Sequence, residues 1–506
     1  MSYYLILDLG TTTIKAFAFN DNGEIIKERK RTVKIISPEP GWVEEDPVKY
    51  WEVTRSLIDD IVNELGNPIA VGITNQRTTT VMWDKTTGEP LYNMITWQDT
   101  RAGELAETYS KKSLLKIARV MGKFVGGVAK IIPSLRRRKS IIRALTLAYF
   151  KFGANQSIMH IRWLLDNNED VKRAVRENRA AFGTVDSWII WNLSKQHVTD
   201  YTNASATGLF DPFKLEWSDT LMKIVNIPKS ILPKIKDCMS DFGEITFLKD
   251  VHITAVIADQ QASLFSAGGI NIGAMKITNG TGSFIDINVG STPVPGILGT
   301  YPMIALKWKN EVYYLLEGIV QATGSVIDWL VDVGLAKNPE EVSEIASTTS
   351  DSAGVIFVPT ICGLGTPFWN AKVRGIIYGI TRATTKNHLI RAAIEGIASR
   401  CAEVILLVEE IAGIKVDKII ADGNASRCDA LLQFLANFTG KKIIRPRNLE
   451  GTARGAFLLA RGGAKGLSLK DAWIPPTIEK QFDPVPSDFG QWKKVLTTAL
   501  SLSEML

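Results

Sequence analysis

The sequence predicts an α/β protein built as two large lobes. Three observations carry that reading. The chain has 506 residues, more than a single hydrophobic core organises well. Short apolar runs alternate with helix-period stretches in both halves. And two similar turns open the two halves: DLGTTTIK from Asp8, behind the apolar run 4–7, and NGTGSF from Asn279, behind 274–278. In both, glycines let backbone N–H groups approach phosphate oxygens, and threonine hydroxyls add donors. One such turn per half implies two lobes closing on a nucleotide.

The elements follow in order. Residues 3–7, 14–20 and 24–32 read as strands, separated by the Gly10 turn and by Asp21-Asn22-Gly23, a hairpin signal. Residues 47–63 read as a helix with Pro47 in its first turn and apolar positions at Tyr50, Val53, Leu57 and Val62. Residues 69–74 form an apolar strand ending in polar residues, where an open α/β sheet carries its functional loops. The second half repeats the logic. Strands are expected at 252–257, 274–278, 284–289, 312–316, 355–359 and 418–421, and helices at 323–333, 386–410 and 430–439. The boundary falls near 256–258, giving an N-terminal lobe of 1–257 and a C-terminal lobe of 258–506.

Composition is that of a globular protein, 45% apolar and 22% charged. The start MSYYLILDLG reads as a first strand and not as a signal peptide, and no apolar run is long enough to span a bilayer. Cys238, Cys362, Cys401 and Cys428 are far apart and form no CxxC, so buried thiols in a reducing, cytoplasmic setting are expected. The four histidines are isolated from one another, which argues against a side-chain metal cage. The net charge of +6 hides an asymmetry. Residues 108–165 hold 13 Lys/Arg and no Asp or Glu, while the remainder holds 46 Lys/Arg against 53 Asp/Glu.

Further segments carry a resemblance: PGWVEEDP at Pro40, GITNQRTTTVMWDKTTGEPLYN at Gly72, WQDTR at Trp97, FGTVDSWIIW at Phe182, VTDYTNAS at Val198, ADQQASLF at Ala258, GLGTPFWN at Gly363 and GITRATTKNHLIRAAIEGIA at Gly379. Over nearly its whole length the chain resembles the FGGY family of carbohydrate kinases, most closely the glycerol kinases within it. The resemblance implies two RNase H-like lobes of the actin and sugar-kinase type with a nucleotide cleft between them. It implies ATP and Mg²⁺ as cofactors, and glycerol phosphorylated to glycerol 3-phosphate. Asp259 is then the general base, with Gln260 on a substrate hydroxyl. Arg77, Thr78, Trp97, Asn155 and Phe284 would line the acceptor. Thr11, Thr12, Thr13, Lys15, Gly280, Thr281, Gly282, Gly324, Asp328, Gly423 and Asn424 would hold the nucleotide, and Asp8 the metal through water. Plainer readings stand beside these: Asp8 and Asp259 as turn or helix caps, Lys15 as a solvated strand lysine, Trp97 as core.

The chain also departs from the pattern. Lys15 stands where glycerol kinases have Arg. Thr78 stands for a Glu and Asn155 for a Tyr, both shorter, which makes another polyol or sugar, such as a tetritol or pentulose, the alternative acceptor to glycerol. Asp328, Asn424 and Cys428 stand for Gln, Gly and Asn on the nucleotide side. The basic stretch, about 108–155, makes the chain roughly 25 residues longer there than the pattern. Lys112, Lys116, Arg119, Lys123 and Lys130 fall on one helical face, and Leu114, Ile117, Met121, Phe124 and Val128 on another. Gly122, Gly126 and Gly127 weaken an isolated helix but allow close packing. Pro133, the RRRK run at Arg136 and an apolar segment at 141–152 follow. A packed hairpin, a homodimer contact and peripheral membrane contact are the expectations for this insert; nucleic acid is not expected as a partner. A weakly catalytic polyol-binding or membrane-tethered regulatory protein is the alternative of another class.

Overall fold

The computed structural model describes residues 2–112, 116–117, 119–122, 139–485 and 487–505. They form two compact units. The first comprises Met1–Gly269, Met303–Tyr314 and Thr452–Ile474; the second comprises Ile270–Pro302, Leu315–Gly451 and Pro475–Leu506. A single cut at 257 therefore does not describe the division, because a stretch of the C-terminal half belongs with the N-terminal unit.

In the first unit the chain runs β1 (Tyr4–Leu9), β2 (Thr13–Phe19), β3 (Ile25–Thr32), α1 (Pro47–Leu65), β4 (Ala70–Asn75) and, far later, β5 (Ile253–Ala258) and α2 (Asp259–Gly268). The sheet order is β5-β4-β1-β2-β3. β1 is antiparallel to β2 and parallel to β4, and β4 is parallel to β5. The ends of β1, β4 and β5 thus lie side by side, and each carries polar residues: Asp8, then Asn75 and Gln76, then Asp259. α1 starts where Asp46 accepts from the backbone N–H of Val48 at 2.9 Å and of Lys49 at 3.1 Å, with Pro47 following. Its buried face, with Tyr50, Leu57, Ile58 and Ile61, joins the core around Leu5, Leu7, Val71 and Ile73.

The helix Gly451–Lys465 packs against β4 and α2 through small residues. A Cβ at Gly72 would lie 2.9 Å from the Ala460 Cβ and 3.1 Å from the Ala456 carbonyl oxygen, and a Cβ at Gly455 would run into the Ala262 carbonyl. Phe457 stacks on Phe19 with ring centroids 4.8 Å apart. That fit brings the C-terminal stretch into this unit.

The second unit holds β6 (Met275–Asn279), β7 (Ser283–Gly290), parts of β8 (Tyr301–Trp308) and β9 (Glu311–Val320), whose stretch Met303–Tyr314 is counted with the first unit, α3 (Gly324–Asp332), α4 (Lys386–Ala412), β10 (Lys418–Asp422), β11 (Lys442–Pro446) and β12 (Ile478–Phe482). Their sheet order is β8-β9-β7-β6-β10-β11-β12. α4 opens with a capping box between Thr385 and His388 and closes at Gly413, whose φ is 64°. Inside the sheet, Lys276 Nζ meets Asp286 Oδ2 at 2.7 Å, and both side chains are fully buried.

The expected elements are present, with ends shifted by one to a few residues. One cysteine departs: Cys238, Cys401 and Cys428 are buried, but Cys362 is exposed, because it sits in the turn after the Ile356–Val358 strand. Where the basic insert is described, it packs on its own unit. Lys112 Nζ donates to the Ile224 carbonyl at 2.7 Å, Arg119 to the Phe150 carbonyl at 3.3 Å, and Arg143 pairs with Asp211 at 2.8 Å. A Cβ at Gly122 would collide with Ala148 of the helix Lys139–Tyr149, the close packing that a glycine permits. Leu114, Lys123, Phe124, Gly126, Gly127, Val128, Lys130, Pro133 and Arg136, Arg137 and Arg138 of the RRRK run lie outside the described residues.

The Lys276–Asp286 pair gives a stability test. Lys276→Met strands a buried carboxylate and is expected to cost about 3–5 kcal/mol. Adding Asp286→Leu should recover most of that loss. Urea unfolding midpoints of the three proteins check it.

Candidate active site

The first unit gathers the candidate side chains of the sequence reading at the ends of β1, β4 and β5. Asp259 is the first residue of α2, where the aligned peptide dipoles favour a negative charge. Its Oδ1 accepts from the Gln260 backbone N–H at 2.7 Å and faces Arg77 Nε at 3.3 Å. Arg77, on the loop that leaves β4, also points Nη1 at Met303 Sδ, 3.5 Å away. Asp8 lies opposite Lys15 on β2 and beside Thr74 on β4. Asp8, Lys15, Thr74, Arg77, Asp259 and Gln260 are thereby placed within one unit.

Behind them stands a hydrogen-bond chain that the sequence reading did not single out. Trp97 Nε1 donates to Thr11 Oγ1 at 2.9 Å, Thr11 donates to Gln76 Oε1 at 2.7 Å, and Gln76 Nε2 donates to Glu45 Oε2 at 3.0 Å. Thr79 Oγ1 donates to the same Gln76 oxygen at 3.1 Å. The Trp97 ring stays partly exposed while its polar edge is fixed. The signal lay in the motifs: NQR and WVEE place polar residues where only core would be expected. WQDTR and WVEE meet in a buried cluster, where Arg101 pairs with Glu44 and Asp99 at 2.7 Å each and stacks 3.9 Å over Trp42.

A second network fixes the strand ends. Asp200 is fully buried and accepts from Thr202 Oγ1 at 2.5 Å, Asn203 Nδ2 at 2.8 Å and Cys238 Sγ at 3.2 Å. Thr202 Oγ1 in turn accepts from the Ala258 N–H at 2.8 Å, the residue before Asp259. Asn203 exchanges two amide hydrogen bonds with Asn75, at 2.9 and 3.0 Å, just before Gln76 and Arg77. Burial raises the Asp200 carboxyl. Burial and then the Asp200 charge push Asp186 up to about 7.

Thr78 adopts φ 61°, a left-handed conformation that a β-branched residue rarely takes. Its Oγ1 is buried without a partner, and its carbonyl accepts from Ser157 Oγ at 2.7 Å. Asn155 is exposed, two residues before Ser157. Thr12 is exposed, and Thr13 and Lys15, with Lys30, Arg31 and Thr32, line a groove of about 700 Å³.

The second unit builds a crowded turn. Gly280 N–H donates to the Gly282 carbonyl at 2.9 Å, and Gly324 N–H to the Gly280 carbonyl at 2.9 Å. A Cβ at Gly282, Gly324 or Gly423 would meet backbone at 2.5 Å, and Gly423 has φ 82°. Side chains stitch the three segments together: Ser283 to Asn279 and Thr323 at 2.7 Å each, Asn279 to Ser426 at 3.0 Å, Thr278 to Asp422 at 2.6 Å. Ser325 Oγ, at the start of α3, is buried without a partner. Thr281, Asp328 and Asn424 are exposed on these segments, and Phe284 lies on β7 opposite Thr278. Backbone N–H groups at a glycine turn, an unsatisfied hydroxyl and a helix start suit phosphate oxygens, so the donor set fits a nucleotide. Among the described residues no group of three or more His, Cys, Asp and Glu could hold a metal ion. A single carboxylate such as Asp8 fits Mg²⁺, which keeps its waters and takes its other ligands from phosphates.

The chain belongs to the FGGY family of carbohydrate kinases: the N-terminal domain model matches residues 3–124 and 129–266, and the C-terminal domain model residues 275–462. It is therefore a phosphotransferase with an alcohol acceptor. An uncharacterized sugar kinase of Archaeoglobus fulgidus is 36% identical over 98% of this chain and 99% of its own. Glycerol kinase 2 of Thermotoga maritima is 35% identical over 99% of each. A glycerol kinase of Plasmodium falciparum solved with ADP is 30% identical, with TM-score 0.87 and coverage of 100% and 98%.

Glu45 gives a pH test. Burial pushes its carboxyl from 4.5 up to about 8, and its Oε1 has no partner. Between those values the folded state holds a proton that the unfolded chain releases, so stability falls as pH rises through this window. Glu45→Gln should flatten that fall, its stability advantage growing toward about pH 8; urea midpoints across the range measure it.

Proposed function

We propose that this protein transfers the γ-phosphoryl group of ATP to a terminal hydroxyl of glycerol. The observation that carries the reading is the Asp259–Arg77 pair at 3.3 Å, next to Gln260 and within the unit that holds Trp97. Asp259 takes the hydroxyl proton as the acceptor oxygen attacks the γ-phosphorus, the bond to the β-bridging oxygen breaks and ADP leaves. Arg77 holds the carboxylate and donates to the acceptor; Gln260 orients a neighbouring hydroxyl; the Trp97 ring covers the carbon chain. Thr281 and Gly282 would present N–H groups to the phosphates, with Gly280 and Gly324 holding the turn through their bonds to backbone carbonyls and Gly423 and Asn424 beside the adenosine. Mg²⁺, held by Asp8 through water, would neutralise charge on the phosphates. The glycerol kinases among the relatives support this substrate.

A second reading, a longer polyol or a pentulose as acceptor, rests on Thr78. A short side chain with an unpartnered buried hydroxyl leaves space and one free donor-acceptor where a further substrate hydroxyl would bind.

Two measurements decide. Initial ATP-dependent rates across glycerol, dihydroxyacetone, erythritol, xylitol, xylulose and ribulose should give glycerol the highest kcat/KM; a clear win for a longer acceptor selects the second reading. Asp259→Asn should lower kcat by about 10²–10⁴-fold with KM little changed. Full activity of that variant would remove Asp259 as the base.

A further inference from the structure

The basic insert carries chemistry that phosphoryl transfer does not use. Ile117, Val120 and Met121 are 58%, 70% and 63% exposed. Their spacing makes one stripe on a helix. Gly122 turns the other side of that helix onto Ala144 and Ala148, so the stripe faces away from the packed partner. On the neighbouring helix Leu147 and Tyr149 are exposed as well. Lys116, Lys139 and Lys151, on or next to these two helices, are exposed. An apolar stripe inside a stretch of 13 cations and no anions is not an ordinary solvated surface.

We propose that this face docks on an anionic lipid surface. The apolar side chains enter the boundary between headgroups and acyl chains, and Lys116, Lys139 and Lys151 reach lipid phosphates while their stems cover apolar surface. The charge pattern selects this occupant. A symmetric contact with a second copy would set the segment against itself, with no acidic residue in it to pair the cations. A nucleic acid would take the cations through its phosphates, but it accepts an apolar stripe only by unstacking bases at a cost that a lipid boundary does not impose. No helix among the described residues is long and apolar enough to cross a membrane, so the contact is interfacial.

The test is co-sedimentation of the full chain with phosphatidylcholine vesicles, with and without phosphatidylglycerol, and the phosphorylation rate in vesicle-free solution as a separate readout. Binding is expected only with phosphatidylglycerol and is lost in high salt. The double variant Val120→Ser, Met121→Ser should bind about ten-fold more weakly. Lys116→Gln and Lys139→Gln should each weaken binding about five-fold. All of them should keep the wild-type phosphorylation rate, so this proposal and the acceptor assignment fail independently. Equal binding to neutral vesicles, or binding unchanged in the Val120, Met121 variant, overturns the proposal. So does capture of duplex DNA, or a drop in solution mass in that variant, when the wild-type chain binds no vesicles.

Discussion

Asp200 is the constraint on which the ends of β4 and β5 depend. It is buried at the start of the short helix Tyr201–Ala206 and sends two arms outward. One runs through Thr202 to the backbone just before Asp259; the other runs through Asn203 to Asn75, just before Arg77. The two residues that meet at 3.3 Å therefore sit on strand ends fixed by a common anchor. A buried carboxylate is tolerated only when its oxygens are satisfied, and five donors from Thr202, Asn203 and Cys238 do so here. Such a network is costly when broken, and that cost is what makes it a good positioning device.

The second unit solves the opposite problem by removing side chains. At Gly282, Gly324 and Gly423 backbone approaches backbone so closely that no Cβ fits. The gain is a set of N–H groups on rigid, mutually bonded segments. Ser283 ties two of them together, and Asp422, through Thr278, ties the third. Polar anchoring in one unit and backbone crowding in the other are two routes to preorganisation.

The insert follows neither route. It is fastened at Lys112, Arg119 and Arg143 to its own unit, by contacts that leave an apolar stripe uncovered. Its anchoring uses backbone carbonyls and one surface carboxylate, which hold a segment in place without contributing much energy.

Much of this was legible in the sequence for physical reasons. A glycine-threonine turn behind an apolar run can be read locally, because strand periodicity and glycine's lack of a Cβ act over a few residues. So the tight turn at Gly280 and Gly282 could be placed, and α1 and α4 with it, from sequence. Gln76 and Glu45 could not be assigned, because their roles exist only where residues 31 positions apart meet. The Asp200 arms span 56 and 128 positions and have no local signature. Nor could the sequence show that Gly451–Lys465 returns to the first unit: a helix with a glycine-alanine face does not say which backbone it approaches. Sequence by itself determined the elements, the phosphate-type turns and the charge asymmetry, all set by short-range sterics and composition. Only the tertiary structure decided which polar groups satisfy one another in the core, since burial, and not proximity along the chain, makes those pairings compulsory.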